Sequence, residues 1–195
     1  MAVYAFDSSH DDLIHDVSYD FYGKRLATCS SDQKIKPRNS GKRWALKASL
    51  VDSSGSVKDI EFAPNNWGLK LATVAADGVL RIYEALEVNN LADWSMMEEV
   101  EIITPGTVNK EADGNYCLSW CPWKPQVSPM IVVGCGKENC AKVLHGHEDA
   151  IHDVSWAPNM GRYLIDHKVG IFKLTNKPDG YSVENIAMLS EHGVE

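Results

Sequence analysis

Short alternating apolar runs that recur along the chain constrain its fold more than any other feature. The stretch 57–84 contains three such runs, separated by the turn-forming residues Pro, Asn, Gly and Asp. Runs of this length, rich in Val, Ile, Tyr and Phe, are typical of β-strands. Asp77-Gly78 separates the second and third runs and signals a two-residue hairpin, because Gly accepts a positive φ. The stretch therefore predicts a three-stranded antiparallel meander with room for a fourth strand outside it.

The pattern recurs, which predicts a chain built from repeats. Copies of the first run have apolar residues two apart, hence on one strand face, and lie at 16–19, 59–62, 117–120 and 153–156. Copies of the second run lie at 26–29, 71–74 and 130–133. The spacing from Leu26 to Asp32 equals that from Leu71 to Asp77.

Composition favours a soluble β protein with no transmembrane segment and no direct binding to nucleic acid. The hydrophobic fraction is 44% and the mean hydropathy is -0.26, which suits a folded core. No run approaches the roughly 18 apolar residues that cross a bilayer, and the first residues lack the pattern of a signal peptide. A formal net charge of -8 disfavours direct nucleic-acid binding, which depends on neutralising phosphates.

The pentapeptide Ile-His-Asp-Val-Ser, at 14–18 and 151–155, contains the residue types of a catalytic triad. On a strand, however, His15 points to the opposite face from Asp16 and Ser18. The sequence has no Gly-x-Ser-x-Gly elbow, and 134–137 lacks the spacing of a phosphate-binding loop. We expect no enzyme active site and no cofactor.

The cysteines and a His-Gly-His sequence raise the question of a metal site. Cys117 and Cys121 are not arranged as the close, matched pairs typical of zinc sites. We expect Cys29, Cys117 and Cys135 to be small buried residues in strands. A metal at 145–147 would need further ligands, and the sequence offers no obvious set.

The segment 85–101 differs from the repeats. Leu86, Leu91, Trp94 and Met97 approximate the spacing of a helical stripe. The prediction is a long loop with a short helix that packs Trp94 onto the domain. A groove for a partner is the alternative interpretation.

Several of these residues resemble a known family of repeats. His145-Gly146-His147 ahead of 154–158 resembles the Gly-His start of a WD repeat, and Leu-Ala-Thr-x-x-x-Asp followed by Arg-Ile-Tyr resembles its end. WD repeats have about 40–45 residues and each forms a four-stranded propeller blade. The sequence of residues 11–33 is similar to the first blade of the SEH (Sec-thirteen-homologue) nucleoporins, and the sequence of residues 62–85 is similar to their third blade. The stretches 118–122 and 156–162 resemble their fourth and fifth blades.

The resemblance implies an all-β fold: an open six-bladed WD-repeat propeller, completed in trans by a partner blade. Over residues 1–195 the expected blades are blade 1 at about 10–36, blade 3 at about 44–84, blade 4 at about 115–143, blade 5 at about 144–174 and the start of blade 6 at about 181–195. No second blade is visible. We interpret this as stretches missing from a longer chain, after Lys36, Val143 and Tyr163 and beyond Glu195.

In WD blades a histidine hydrogen-bonds to an Asp in a tight turn and to groups on the strands, which pairs buried polar atoms. The resemblance implies that such a structural network is formed here by His147, Asp32, Asp77, Trp120, Trp156 and Tyr83.

The resemblance also implies a function. SEH-type proteins are non-catalytic scaffold subunits of the nuclear pore Y complex and support transport of mRNA and protein. The implied partners are an α-helical nucleoporin that donates a seventh blade and the other Y-complex nucleoporins, in a hetero-oligomer. The implied location is the nuclear pore complex at the nuclear envelope, with a vacuolar or lysosomal coat-like complex as a second. The alternative is a WD-repeat adaptor or vesicle-coat subunit.

Overall fold

The computed structural model describes most of the chain in separate segments. It describes residues 5–41, 44–87, 90–102, 116–122, 129–134 and 153–156, and gives strand positions alone for 163–166, 170–177, 180–190 and 193–194. Within these segments the regular structure is β-strand, apart from one 3-10 turn at Asn65–Trp67. No helix in the described part is long and apolar enough to cross a membrane.

The strands form antiparallel sheets that follow chain order. The first sheet contains β1 (Ile14–Tyr19), β2 (Arg25–Ser30), β3 (Ile35–Asn39) and β4 (Ala45–Leu46). The second contains β5 (Val57–Phe62), β6 (Lys70–Ala75), β7 (Val79–Glu87) and β8 (Asn90–Glu101). The third pairs β9 (Cys117–Trp120) with β10 (Ile131–Gly134). The fourth contains β11 (Val154–Trp156), β12 (Tyr163–Asp166), β13 (Gly170–Lys177), β14 (Gly180–Ser190) and β15 (Gly193–Val194).

The first strands of the four sheets lie side by side. Strand β1 contacts β5, β5 contacts β9, and β9 contacts β11. In the two four-stranded sheets, each later strand adds on the outer side of the one before. This is the blade arrangement of a β-propeller, so the predicted all-β propeller class is confirmed.

The first two sheets are copies of one another in detail. Both inner hairpins contain a register shift just after their first pair, between Ile14 and Asp16 and between Val57 and Asp59. The equivalent pairs are Asp16 with Cys29 and Tyr19 with Leu26 in one sheet, and Asp59 with Val74 and Phe62 with Leu71 in the other. Equivalent backbone groups of β1 and β5 therefore point in equivalent directions, because antiparallel pairing alternates their orientation.

The core lies between sheets rather than within one. One buried cluster joins Ala27, Cys29 and Ile35 of the first sheet to Ile60 and Phe62 of the second. A second cluster joins Ala72 and Val74 of the second sheet to Leu118 and Trp120 of the third. One face of β5 and one face of β9 are thus each buried by the sheet that precedes the strand in the chain.

The prediction of a helix within 85–101 was wrong, since this stretch completes β7 and forms β8. Pairing with the outer edge of β7 stabilises this segment as a strand, and this tertiary contact outweighs the helix-like spacing of its apolar residues. Between the pairs Glu87–Asn90 and Ala85–Trp94, one residue of β7 lies opposite three residues of β8. This irregularity lets Leu91 be buried while Trp94, three residues later, packs against the first core cluster. The packing of Trp94 onto the domain is confirmed.

The first sheet also extends beyond residue 36, where the sequence suggested that the repeat stops. Strand β3 runs through Pro37 to Asn39, and β4 pairs with its end. Ile35 N donates to Leu50 O, on the side away from β2. Residues two apart point the same way, so Pro37 lacks only an outward N–H and leaves the pairing with β2 intact.

The Asp77-Gly78 turn contains three residues between β6 and β7 rather than the expected two. Gly78 has φ 74° and its N–H donates to Ala75 O. In the first sheet the equivalent residue is Gln33, with φ 65° and an N–H that donates to Ser30 O. A side chain in this left-handed region costs about 1 kcal/mol or more. The same turn is therefore relaxed in the second sheet and strained in the first.

Replacing Gln33 by glycine should relieve that strain. We expect Gln33→Gly to raise the free energy of unfolding by about 0.5–1 kcal/mol, and Gly78→Ala to lower it by about 1 kcal/mol. Urea unfolding followed by tryptophan fluorescence measures both. Gln33→Ala is the control, because it removes the side chain but keeps a Cβ at positive φ. A stabilisation by Gln33→Ala as large as that by Gln33→Gly would contradict the explanation.

Candidate functional site

Asp32 fixes the turn that joins β2 to β3 in the first sheet. Its Oδ2 lies 2.9 Å from His10 Nδ1, and His10 Nε2 lies 2.9 Å from Thr28 Oγ1. The carboxylate also accepts the N–H groups of Asp11 at 3.1 Å and Lys34 at 3.0 Å. Burial alone would raise the pKa of Asp32, but the hydrogen bonds from His10 and the two backbone groups lower it below its ordinary value. The charged form is therefore the one that holds the turn.

Asp77 makes the equivalent backbone contacts in the second sheet with a different side-chain partner. It accepts the N–H groups of Ser54 at 3.0 Å and Val79 at 3.1 Å. Ser53 stands four residues before β5, as His10 stands four residues before β1. In place of a histidine, the buried Arg81 forms a 2.9 Å ion pair with Asp77 and also reaches Glu99. The backbone pattern is thus repeated while the charge partner changes.

The structure places the predicted network residues in three settings. Asp32 and Asp77 lie at equivalent turns. Trp120 and Trp156 lie on β9 and β11, away from those turns, and their indole N–H groups donate to Glu61 O and Ser119 O, both at 3.0 Å. His147 lies outside the described residues.

Tyr83 lies in the first core cluster on β7. Burial raises its pKa, and the Asp52 carboxylate nearby raises it further. Tyr83 pairs with Leu71, towards the end of the hairpin that lies away from the Asp77 turn.

Sequence reasoning missed His10 as the partner of Asp32. A signal was present, because His10 stands four residues before Ile14 and His147 stands four residues before Ile151. Both histidines therefore precede the repeated Ile-His-Asp-Val-Ser pentapeptide by the same distance.

Side chains of each inner strand accept backbone hydrogen bonds from the next inner strand. We call this set of contacts the inner ladder. Asp16 accepts Ile60 N at 3.2 Å and Ser18 accepts Phe62 N at 3.1 Å. One sheet further, Asp59 accepts Leu118 N and Glu61 accepts Trp120 N, both at 2.7 Å. The acceptors stand two residues apart, and so do the donors.

The third junction retains half of the inner ladder. Ser119 accepts Trp156 N at 3.4 Å. Cys117 stands where the earlier sheets have Asp16 and Asp59, and a thiol is a weak acceptor. Val154 N instead donates to the carboxylate of its own neighbour, Asp153, at 2.8 Å. An N–H group that points towards the preceding sheet is thus paired by the side chain next to it in the chain when that sheet supplies no oxygen.

Two acidic side chains of the inner ladder, Glu61 and Asp59, have raised pKa values. Burial raises the pKa of Glu61 to about 7, against a lowering by the hydrogen bonds from Trp120 N–H and Ser119. Burial also raises the pKa of Asp59, and a hydrogen bond with the neighbouring Asp16 carboxyl raises it further. These carboxyl groups pair backbone N–H groups, but water is excluded from them, so a bound proton is favoured.

Among the described residues, β1 contacts β2 and β5, and no described sheet lies against it on the side where β5 has the first sheet. Val17 is 52% exposed and Tyr19 is 56% exposed, whereas the equivalent Ile60 and Phe62 are 1% and 6% exposed. Leu13 and Phe21, just beyond the strand ends, are also exposed. We call this surface, formed by Leu13, Val17, Tyr19 and Phe21, the open edge.

The residues considered for metal or catalytic chemistry have structural surroundings. Cys29 and Cys117 are buried as predicted, and Cys121 is a third buried free cysteine among the described residues. Cys135 lies outside the described residues. Burial raises the pKa of Cys117 to about 12, so its thiol stays protonated. Within the described segments no group of three or more His, Cys, Asp or Glu side chains could hold a metal ion. His15 contacts Ser31 at 2.6 Å, while Asp16 and Ser18 face β5.

Comparison with known proteins identifies the family. Residues 3–36 match the family "WD domain, G-beta repeat". Nucleoporin SEH1 of Saccharomyces cerevisiae is 33% identical over 246 residues, covering 88% of this chain and 70% of the relative. The chain belongs to the SEH1 nucleoporin family. Nucleoporin seh1 of Schizosaccharomyces pombe is 32% identical over 242 residues (86% of this chain, 70% of the relative), and Nucleoporin SEH1 of Danio rerio is 30% identical over 278 residues (95% and 74%).

The yeast SEH1 match also bears on the shortened repeats. Because 88% of 195 residues is well below 246, the relative has residues inside the matched region that this chain lacks. This supports the interpretation that stretches are missing within the SEH1-type repeats of this chain.

Removing the Asp32 carboxylate should strongly destabilise the first sheet. The side chains of His10 and Asp32 are 0% and 5% exposed, and loss of one partner leaves buried polar groups unpaired. We expect Asp32→Ala to lower the free energy of unfolding by about 3 kcal/mol. The matched control is Asp11→Ala, which removes an exposed ion pair with Lys34 and should change stability far less. Equal effects of the two substitutions in urea unfolding would contradict this role of Asp32.

Glu61 should make stability depend on pH. Its folded pKa of about 7 lies above its ordinary value of 4.5, so between these values the folded chain binds a proton that the unfolded chain releases. The free energy of unfolding should therefore fall as pH rises from 4.5 to 7, by at most about 1.4 kcal/mol per pH unit from this group.

Urea unfolding at pH 5 and pH 7.5 tests this. Glu61→Gln should lose less stability between the two pH values than the unsubstituted chain. Glu87→Gln, which removes the same charge from an exposed strand end, should behave as the unsubstituted chain does. If Glu61→Gln shows the same loss as that control, Glu61 is not the responsible group.

Proposed function

We propose that this chain is a non-catalytic scaffold subunit of the nuclear pore complex, within its Y complex, and that it supports transport of mRNA and protein. Its open edge binds an α-helical nucleoporin, which donates a blade beside β1. The complex is a hetero-oligomer that includes other Y-complex nucleoporins, and its location is the nuclear pore at the nuclear envelope.

The observation that carries this proposal is the exposure of Val17 and Tyr19. The equivalents of Val17 in the later described sheets, Ile60, Leu118 and Val154, are buried by the preceding sheet. An inner strand with apolar residues and outward N–H groups on its free side is suited to β-augmentation, in which a strand of another chain pairs with an exposed edge.

Two further observations support the pore scaffold over the alternatives. The relatives reported above carry the name nucleoporin SEH1, rather than that of a coat subunit or adaptor. Of the side chains with triad residue types, His15 contacts Ser31 in the turn after β2, and Asp16 and Ser18 accept backbone N–H groups of β5. With a net charge of -8, contact with RNA cargo is through partners.

Binding to a purified α-helical nucleoporin of the same complex tests the proposal. We expect a 1:1 complex by light scattering after size-exclusion chromatography. Val17→Glu places a charge in the open edge and should weaken binding by tenfold or more, because burial of the apolar side chain is lost and a charge is desolvated. A fluorescent fusion of the unsubstituted chain should concentrate at the nuclear rim, and the Val17→Glu fusion should not.

The matched control is Leu86→Glu. Leu86 is 67% exposed on β7 of the second sheet, whereas the open edge lies on the first. It should bind as the unsubstituted chain does. Absence of a complex with the unsubstituted chain, or equal weakening by both substitutions, would reject the proposed use of the open edge.

A further inference from the structure

The inner ladder follows one rule at each junction where oxygen-bearing side chains are present. The earlier sheet supplies acceptors two residues apart, and the later sheet supplies N–H groups two residues apart. Asp16 and Ser18 serve Ile60 and Phe62, and in the next junction two carboxylates serve Leu118 and Trp120. The pattern is therefore a property of the junction and not of one pair of residues.

Strand β1 carries the donor half of the same junction. Val17 and Tyr19 occupy the positions of Ile60 and Phe62, in a hairpin with the same register and the same irregularity. Since Ile60 N and Phe62 N point away from β6, Val17 N and Tyr19 N point away from β2. Asp16 Oδ2 is already used by Ile60 N, on the other side of β1.

We propose that the strand placed beside β1 carries two acceptor side chains, Asp, Glu or Ser, two residues apart, which accept the N–H groups of Val17 and Tyr19. This rests on the proposed function, because it concerns the blade that the helical nucleoporin donates. The occupant is a blade of that partner rather than an isolated strand. Ile60 and Phe62 pack against Ala27, Cys29 and Ile35 of the preceding sheet. Val17 and Tyr19 therefore need a comparable apolar sheet face to be buried.

The rule also limits the sequence of the donated blade. Its innermost strand reads acceptor, apolar, acceptor, apolar, as in Asp16–Tyr19 and Asp59–Phe62 of this chain. An acceptor at only one position leaves one N–H unpaired or paired locally, as happens at Val154 beside Cys117. The open edge therefore selects its partner blade by that blade's side-chain oxygens as well as by its apolar side chains.

Proline substitutions in β1 test the hydrogen bonds separately from apolar contact. Proline removes the N–H and is tolerated in an edge strand where that group faces outward. Val17→Pro keeps a side chain of similar size, and Val17→Ala measures the side-chain contribution alone. We expect Val17→Pro to raise the dissociation constant for the helical nucleoporin about tenfold more than Val17→Ala does, since a hydrogen bond is lost and its buried acceptor is left unpaired. Tyr19→Pro against Tyr19→Ala is the second pair.

Amide hydrogen exchange provides a measurement that needs no variant. In the complex of the unsubstituted chain with the helical nucleoporin, exchange at Val17 and Tyr19 should slow by tenfold or more. Ser18 N–H faces β2 in the alternating pattern, so its exchange serves as the internal reference and should change less. On the partner, alanine at the two proposed acceptor positions should remove the slowing at Val17 and Tyr19.

The outcomes separate this inference from the proposed function. A complex in which exchange at Val17 and Tyr19 is unchanged, and in which proline and alanine variants bind equally, would overturn the acceptor rule and leave the scaffold function standing. Absence of any complex would overturn both. Concentration-dependent protection of Val17 and Tyr19 in the chain alone would assign the open edge to a second copy and overturn the choice of partner.

Discussion

The interaction on which the architecture depends is a side-chain oxygen of one inner strand accepting a backbone N–H of the next. An inner strand has only one neighbour within its own sheet, so its other row of N–H groups would be buried without partners, at a cost of about 1–3 kcal/mol each. Asp16, Ser18, Asp59 and Glu61 remove that cost at the first two junctions. The same contacts fix the position of one inner strand relative to the next along the strand direction. The apolar side chains of neighbouring sheets can then pack against one another.

Two solutions to one turn show what this fold holds constant. Both Asp32 and Asp77 accept one N–H from the segment before the inner strand and one from the turn itself. The counter-group differs: a histidine from the preceding segment in one sheet, and Arg81 from the following strand in the other. Both turns have a carboxylate at this position, whereas its side-chain partner comes from the preceding segment in one sheet and from the following strand in the other.

The repeats, the inner strands and the propeller class could be predicted because apolar alternation and turn residues are local signals. The segment 85–101 could not, because the partner edge of β7 and the irregular pairing near Ala85 decide its structure, and neither is local. The extent of β3 was hidden by Pro37, whose effect depends on which side its nitrogen faces. The partner of Asp32 was predictable in type but was assigned through His147, since a Gly-His sequence is more conspicuous than Ser9-His10. The inner ladder needs the relative position of two sheets and has no signature within either strand alone.

The half-ladders at the two sides of each sheet are different, and this gives the ring a polarity. Each inner strand presents oxygens to its successor and N–H groups to its predecessor, so successive sheets join head to tail, as in a heterologous interface. Two copies of β1 related by a two-fold axis would bring two donor halves together, so neither copy would offer side-chain oxygens to the N–H groups of Val17 and Tyr19. Two copies of β1 therefore cannot form an inner ladder with one another, and the side-chain contacts of the ring continue at this edge only through a surface that carries the oxygens.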